Sequence, residues 1–248
     1  MFLYAFFILI SSLAYASNEI QKYQEEFDVV LQELVSDNFT PFPLSVNGPR
    51  RYILTGGPGV GKTSILLYLE AALDQEFVRE AAADLMYLGQ AQGVSKACLF
   101  KDFNAKVVKL QEKRQTLTET SPCDVVFFDR SPIDVLTYVR RDGAQIDTAL
   151  YSIIKRLVET GFYQKTVFLI EHLDHYQQDD SRPENLETSL EWGRLQEEHY
   201  RKLGFNICKI PPGSVEERAT AIMQIVHKEQ IESALSSKQI AHKSEKGK

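Results

Sequence analysis

Hydrophobic residues occur along the chain in two alternating patterns, short continuous runs and longer stretches with helical spacing. The short runs predict five β-strands, at Arg51–Leu54, Glu76–Val78, Asp124–Phe128, Thr166–Ile170 and Asn206–Ile210. Most of these runs contain few or no polar residues, as expected for strands that are buried on both faces of a parallel sheet.

Between the runs, apolar residues return every three or four positions, which predicts helices. The predicted helices are Glu25–Val35, Thr63–Leu73, Ala81–Leu88, Asp102–Gln115, Leu186–Leu203 and a final helix that begins at Ser214. Gly89 to Lys101 reads as a loop, and Ser214-x-x-Glu217 forms a capping box. The alternation of strands and helices from Arg51 onward is typical of βαβ units, so we predict an α/β fold with a parallel sheet.

The same patterns divide the chain into four parts. These are an apolar segment at residues 1–16, a helix and proline-containing linker at 17–50, the main domain at 51–227 and a polar tail at 228–248. The tail is rich in Lys, Ser and Glu, and we expect it to be disordered.

The apolar segment has features of an export signal. Phe2 to Ala16 carries no charge and ends in Ala14-Tyr15-Ala16, an A-x-A cleavage pattern. It is shorter than the roughly 20 apolar residues of a comfortable membrane span. No Lys or Arg precedes Lys22, so the usual positively charged start is missing. An exported or membrane-anchored protein that contacts the membrane through residues 1–16 is one interpretation. A mistaken translation start or a buried segment in a cytoplasmic protein is the other.

The composition argues against two classes of protein, those that bind nucleic acid through a basic surface and those built on a disulfide framework. The 248 residues are 44% hydrophobic and carry a formal charge of −6, which fits one sizeable core and offers no broad basic surface for nucleic acid. Three widely spaced cysteines, Cys98, Cys123 and Cys208, do not form a disulfide framework.

A complete phosphate-binding loop of the form G-x-x-x-x-G-K-[ST] follows the first predicted strand. Its residues are Gly56, Gly57, Pro58, Gly59, Val60, Gly61, Lys62, Thr63 and Ser64. A glycine-rich turn lets several backbone N–H groups point into one concavity, and the helix that follows adds its positive end. Lys62 would reach the β- and γ-phosphates of a nucleotide, and the Thr63 hydroxyl would be a ligand of Mg²⁺. An ordinary Gly-Pro turn is the alternative.

A carboxylate, Asp129, follows the apolar strand that ends at Phe128. Because the carboxyl ends of parallel strands lie at one edge of a sheet, Asp129 is expected to approach Thr63 and to help bind Mg²⁺. It could also cap the helix that begins near Pro132.

The next residue is Arg130, where motor-type ATPases usually place a water-activating glutamate. A guanidinium there fits transfer of a phosphoryl group to a bound acceptor. The chain also lacks an N-K-x-D motif, so guanine-nucleotide switches are disfavoured.

Four groups of residues together resemble the NadR-like AAA-domain P-loop family, predicted ATPases or kinases related to the ribosylnicotinamide kinase domain of NadR. They are Gly56 to Thr63, Asp129-Arg130-Ser131-Pro132-Ile133-Asp134 with Tyr138, Tyr176-Gln177-Gln178-Asp179 followed by Arg182, and the endings Tyr200 to Phe205 and Pro211 to Arg218. The resemblance extends roughly from Arg51 to Val226. The loop is generic, whereas the D-R-x-P-x-D and P-P-G-S segments are more specific.

The resemblance implies a three-layer P-loop NTPase fold like that of nucleoside and nucleotide kinases, with strand order 2-3-1-4-5 and a helical lid. It implies that Arg182 is a lid arginine over the phosphates and that Glu80 is an acid near the acceptor hydroxyl. An ordinary surface position is the alternative for both. Pro212 and Gly213 would flank the adenine base.

Two further matched positions, Asp134 and Tyr138, would line the acceptor pocket or pair with each other on a helix. The chain has Glu80-Ala81-Ala82-Ala83 where the family commonly has E-A-A-R. The missing arginine leaves the acceptor undefined.

The leading hypothesis from the sequence is a Mg²⁺-dependent, ATP-binding protein that transfers the γ-phosphoryl group to a small nucleoside-like acceptor. Lys62, Asp129, Arg130, Arg182 and Glu80 would be its catalytic residues. The alternative is a nucleotide-controlled regulator or effector with slow or no phosphorylation of an acceptor. A plain ATPase is disfavoured by Arg130.

Overall fold

In a computed structural model of the chain, the described residues are 21–34, 48–93, 102–173 and 185–246. The apolar segment 1–16, most of the proline-containing linker and the segment around Arg182 lie outside these ranges. The predictions made for those parts of the chain stay predictions.

Five parallel strands form the central sheet, as the hydrophobic runs predict. They are β1 (Arg50–Thr55), β2 (Glu76–Val78), β3 (Val125–Asp129), β4 (Thr166–Ile170) and β5 (Asn206–Ile210). Their order is β2-β3-β1-β4-β5, which confirms the order implied by the family resemblance. In the register, Ile53 of β1 lies between Phe128 of β3 and Val167 of β4.

Eight α-helices are present in the described parts of the chain. The first, α1, covers residues 21–33. The others are α2 (Lys62–Leu73), α3 (Ala81–Ala91), α4 (Phe103–Leu117), α5 (Val135–Arg141), α6 (Thr148–Glu159), α7 (Leu186–Lys202) and α8 (Val215–Lys246). Short 3-10 turns at Thr118–Thr120 and Pro132–Asp134 precede β3 and α5.

One helix, α6, is missing from the sequence prediction. It buries Leu150, Ile154, Leu157 and Val158, and the Asp147 carboxylate caps its amino end by accepting from the Leu150 N–H. This helical spacing and the N-cap residue are both present in the sequence, so the sequence does contain the signal for α6.

Each face of the sheet is covered by helices, which confirms the three-layer architecture. Alternate strand residues point to opposite faces, so Tyr52 and Leu54 pack with α2 and α8, whereas Ile53 packs with α1 and α3 to α7. The loops at the carboxyl ends of the strands meet at one edge of this sandwich.

Both ends of the described chain differ from the sequence-based division. Helix α1 buries Leu31 and two neighbouring apolar residues in the main core, although the sequence analysis assigned it to a separate part. Helix α8 continues to Lys246 through the segment predicted to be a disordered tail. Lys, Glu and Gln have good helix propensity, and an i, i+4 pair of Lys228 with Glu232 supports the extension.

Among the described residues, none of the helices combines the length and apolar character that crossing a bilayer requires.

Candidate phosphate and acceptor site

Three glycines let the chain turn between β1 and α2. Gly56, Gly59 and Gly61 have φ angles of 130°, 81° and 89°, values that residues with a Cβ rarely adopt. Gly61 directly precedes the first turn of α2. The loop therefore lies where the sequence predicts it, between a buried strand and the amino end of a helix, a position that favours anions.

Helix α7 packs closely against this loop. A Cβ at Gly57 would lie 2.1 Å from the Ser189 carbonyl oxygen, so only glycine fits there. The Gly56 N–H donates to Oε1 of Gln196 at 3.1 Å, and Ser189 Oγ donates to the Pro58 carbonyl oxygen at 2.5 Å. Sequence reasoning did not select Ser189 or Gln196. They lie two turns apart on α7, and no local motif distinguishes them.

The ammonium group of Lys62 is buried inside the loop. Its Nζ donates to the carbonyl oxygens of Gly56 at 3.0 Å and Gly57 at 2.9 Å. Burial lowers the pKa of Lys62 to about 8, and the Arg130 guanidinium adds to the shift while three nearby carboxylates oppose it. Lys62 thus lies at the loop with a cationic head group, as the sequence predicts, although its proton is held less tightly than that of a solvated lysine.

The hydroxyl of Thr63 and the carboxylate of Asp129 meet at the start of α2. Thr63 Oγ1 donates to Asp129 Oδ2 at 2.7 Å. Asp129 is 1% exposed, and its Oδ1 has no hydrogen-bond partner among the described residues. Burial raises the pKa of Asp129 to about 6, the Glu80 carboxylate adds to this, and Lys62 opposes it.

This pair of oxygen groups fits a magnesium ion. Mg²⁺ prefers oxygen ligands and is commonly held by one or two protein oxygens together with phosphates and water. Thr63 Oγ1 and the unsatisfied Oδ1 of Asp129 are oxygens of that kind beside the phosphate-binding loop.

Arg130 connects the end of β3 to Glu80 and Asp134. Its backbone has a φ of 67°, a left-handed conformation that is uncommon for a residue with a side chain. Its N–H donates to the Leu54 carbonyl oxygen at 3.0 Å. The buried guanidinium pairs with Glu80 at 2.9 Å and with Asp134 at 3.3 Å. The structure thus brings Arg130 and Glu80 together, although they lie on different elements.

The Asp134 carboxylate is a buried anchor. Its oxygens accept hydrogen bonds from Thr55 Oγ1 at 2.5 Å, Tyr200 OH at 2.6 Å and the Ser131 N–H at 2.9 Å. Together with Arg130, these groups use the acceptor capacity of both oxygens. Asp134 does not line the cavity beside the loop, although lining a pocket was one of the two roles left open by the sequence. Its physical role is to hold Arg130 and the end of β1 in place.

The helical turn that begins at Pro132 is capped by Ser131. Ser131 Oγ accepts from the Ile133 N–H at 3.1 Å, and the Asp134 carboxylate completes a capping box with the Ser131 N–H. Asp129 does not take part in this cap. Its alternative role as an N-cap residue is therefore wrong.

A cavity of about 630 Å³ opens beside the loop. Its lining includes Gly61 to Ser64, Asp129 and Arg130, together with Glu80, Tyr87, Tyr138 and Trp192. The rings of Tyr138 and Trp192 meet edge to face with their centroids 5.4 Å apart. Tyr138 thus lies in the cavity wall, while Asp134, one turn before it, does not.

Two further sequence-predicted residues lie away from this cavity. Pro212 and Gly213 are exposed after the end of β5 and do not line the cavity. The capping box after them is confirmed, since Ser214 Oγ accepts from the Glu217 N–H at 3.1 Å and the Glu217 carboxylate accepts from the Ser214 N–H at 2.8 Å. Arg182 lies outside the described residues.

Comparison with known proteins adds a family and a fold. A sequence model of the family described as "AAA domain" matches residues 51–218. NadR protein in complex with NR is similar in structure, with a TM-score of 0.54 at 17% identity over 73% of this chain and 51% of that chain. NadR protein in complex with NAD and AMP-PNP gives 0.50 at 16% identity over 73% and 49%.

A third similar structure is deoxyadenosine kinase from M. mycoides with bound dATP, with a TM-score of 0.48 at 14% identity over 71% of this chain and 99% of that chain. No curated protein matches the sequence. The matched region spans about half the length of the NadR chains. At these identities, the likeness to NadR shows the P-loop kinase fold of the domain.

Proposed function

Since the chain belongs to the AAA-domain family of P-loop proteins, we propose that it transfers the γ-phosphoryl group of ATP to a small nucleoside-like acceptor, with Mg²⁺ as cofactor. One observation carries this proposal. The phosphate-binding loop opens directly into a cavity of about 630 Å³, within the range of small-molecule sites. A second substrate therefore has room beside the phosphates.

The cavity lining next to the phosphate-binding loop has the charges that phosphoryl transfer needs. Lys62 and Arg130 supply positive charge, and both are buried, where fixed charges act more strongly than in water. Such catalysis depends on positioning and on stabilising the charge of the transferring group. Asp129 and Thr63 would hold the Mg²⁺ ion, which supplies further neutralisation of the phosphate oxygens when bound.

Glu80 has the placement of a group that accepts a proton. It precedes α3 at the cavity wall, and Arg130 holds its carboxylate at 2.9 Å. As the acceptor oxygen bonds to the γ-phosphorus and the bond from that phosphorus to ADP breaks, ADP would leave and Glu80 would take the hydroxyl proton. The same ion pair would keep the guanidinium of Arg130 on the acceptor side of the loop.

The residue after Asp129 also favours transfer over hydrolysis. Arg130 lacks the carboxylate that would activate a water molecule, and its guanidinium is committed to Glu80 and Asp134. The cavity side of the loop is therefore equipped to hold an acceptor rather than to activate water.

The proposal is tested by incubating the full chain with γ-labelled ATP, Mg²⁺ and a panel of nucleosides and vitamin riboside precursors. We expect label to be transferred to at least one member. Lys62→Ala should lower transfer by at least about a thousandfold, because the loop loses its cation. The matched control, Lys155→Ala, changes a half-exposed lysine on α6 and should leave transfer unchanged.

Circular dichroism of both variants would establish that they are folded. Undiminished transfer by folded Lys62→Ala would contradict the assignment. Tight ATP binding without phosphorylation of any acceptor in the panel would favour the regulatory alternative, and rapid hydrolysis without an acceptor would favour a plain ATPase.

A further inference from the structure

A second arginine, Arg218, lies buried behind the phosphate-binding loop. It belongs to the first turns of α8 and is 3% exposed. Its guanidinium donates through one terminal nitrogen to the Val60 carbonyl oxygen at 2.9 Å and through the other to the Glu171 carbonyl oxygen at 2.9 Å. Arg218 thus ties the loop to the end of β4.

The contact at Val60 determines which way the next peptide group faces. A trans peptide is planar, and its C=O and N–H point in opposite directions. Because Arg218 holds the Val60 carbonyl oxygen from behind, the Gly61 N–H must point away from Arg218. Val60 is fully buried, whereas Gly61 lines the cavity, so the N–H faces the side where phosphate would bind.

Ser189 acts in the same way two residues earlier. Its hydroxyl holds the Pro58 carbonyl oxygen at 2.5 Å, and this orients the Gly59 N–H toward the opposite side. Gly59 also lines the cavity. Alternate peptide groups of the loop are therefore held from outside by side chains of α7 and α8.

Burying the charge of an arginine costs free energy that a purely structural contact with two carbonyl oxygens would not require. The terminal nitrogens of Arg218 donate to two uncharged carbonyl oxygens, and its Nε has no hydrogen-bond partner among the described residues. Burial lowers its pKa, and the more distant Glu171 carboxylate opposes that shift. A neutral donor could bond the two carbonyl oxygens without burying a charge, whereas a positive charge behind the loop favours an anion in front of it.

We propose that Arg218 is a positioning residue for the nucleotide phosphates. It holds the Val60 peptide so that the Gly61 N–H faces the phosphate, and its buried charge raises the affinity of the loop for anions. The inference rests on nucleotide binding as part of the proposed function. It does not depend on transfer to an acceptor.

The test compares the full-length chain with Arg218→Lys and Arg218→Gln. Lysine keeps the charge but lacks the two separate terminal nitrogens with which the guanidinium reaches the Val60 and Glu171 carbonyl oxygens, and glutamine removes the charge. The matched control is Arg201→Gln, which removes an exposed arginine on α7. Calorimetric titration with MgADP measures affinity, and hydrogen exchange of peptides covering residues 56–63 measures the order of the loop without nucleotide.

We expect the Kd for MgADP to rise about tenfold or more in Arg218→Gln and by a smaller factor in Arg218→Lys. Loop amides should exchange faster in both variants, while amides of β3 keep their protection. The thermal midpoint of Arg218→Lys should stay close to that of the unchanged protein. Arg201→Gln should match the unchanged protein in all measurements.

Unchanged affinity and unchanged loop exchange in both Arg218 variants would overturn the inference. So would a uniform loss of protection in the loop and β3 together, because that is the signature of a merely structural residue. If the unchanged protein does not bind MgADP, the proposed function fails, whereas loop exchange without nucleotide still decides whether Arg218 orders the loop.

Discussion

At the scale of single residues, two ionisable groups of the site have pKa values displaced toward neutrality. Burial raises the pKa of Asp129 to about 6 and lowers that of Lys62 to about 8. The proposed binding of a nucleotide with Mg²⁺ would need Asp129 ionised and Lys62 protonated. Both charged forms coexist between these two values. Each shift costs folding free energy in that range, because the ionised groups would be better solvated in the unfolded chain.

This arrangement predicts a bell-shaped pH dependence for kcat/KM measured with ATP at saturating acceptor. Activity should fall below pH about 6, as Asp129 takes up a proton, and above pH about 8, as Lys62 loses one. Initial rates from pH 5 to pH 10 measure both limbs.

The variant Lys62→Arg identifies the alkaline limb. A guanidinium stays charged throughout this range, so the fall above pH 8 should disappear even if the overall rate is lower. An alkaline limb that stays unchanged in Lys62→Arg would show that another group causes it.

Residues that the motifs specify were predicted from sequence, whereas their partners were not. Gly56 to Thr63 and Asp129 are recognisable because chemistry requires those residue types at fixed spacing. Gln196 and Arg218 contact the loop from 140 and 158 positions away in the chain. Only the folded sheet brings them there, and although Arg218 ends a segment that resembles the family, no local pattern assigns either residue a contact with the loop.

At the scale of elements, α1 packs against α7 and against the end of α5 and stabilises their positions. Tyr23 OH donates to the Ala144 carbonyl oxygen at 2.6 Å, and Lys202 of α7 pairs with Asp28 at 2.7 Å. The ring of Phe27 lies against His199 with centroids 5.6 Å apart. Helix α1 is therefore part of the folded domain rather than an attachment that precedes it.

Replacing a buried residue of α1 should destabilise the whole domain. Leu31 is fully buried in the same cluster as residues of β1 and β3. We expect Leu31→Ala to lower the free energy of unfolding by about 2–4 kcal/mol, because it removes buried contacts and leaves a cavity. Urea unfolding followed by circular dichroism measures the change.

The control lies on the same helix. Val29 is 53% exposed, so Val29→Ala should change the free energy of unfolding by no more than about 0.5 kcal/mol. Equal effects of the two substitutions, or none from either, would mean that α1 is not packed into the core.

Sequence periodicity predicted the strands more accurately than it predicted the ends of the chain. The runs at Thr166–Ile170 and Asn206–Ile210 coincide with β4 and β5. Burial on both faces leaves a continuous apolar signal in β4, whereas the apolar residues of β5 at the sheet edge are interrupted by Lys209. Helix α8 was cut short at residue 227, since an exposed helix rich in Lys, Glu and Ser has the same composition as a disordered tail.

At the scale of the whole molecule, α8 ties the amino ends of two central strands together. The carboxylate of Glu229 accepts hydrogen bonds from Tyr52 OH of β1 at 2.8 Å and from Thr166 Oγ1 of β4 at 2.5 Å. About three turns earlier on the same helix, Arg218 donates to the Glu171 carbonyl oxygen at the opposite, carboxyl edge of the sheet. Helix α8 thus spans the molecule from the phosphate-binding loop to the far edge.

The boundary of the cooperative fold should therefore lie just after Glu229. Up to residue 236, where the description of side chains in α8 ends, Val226 is the last fully buried residue, whereas Ile231 and Leu235 are 62% and 56% exposed. Deleting residues 235–248 should leave the thermal midpoint nearly unchanged.

Glu229→Ala should lower the free energy of unfolding by about 1–3 kcal/mol, because it leaves the buried Tyr52 hydroxyl without its acceptor. Glu232→Ala, which removes an exposed carboxylate one turn away, is the matched control. Differential scanning calorimetry compares the deletion variant, Glu229→Ala and Glu232→Ala with the unchanged protein. A large loss on deletion of 235–248, with no loss in Glu229→Ala, would place the boundary within the last turns of α8 instead.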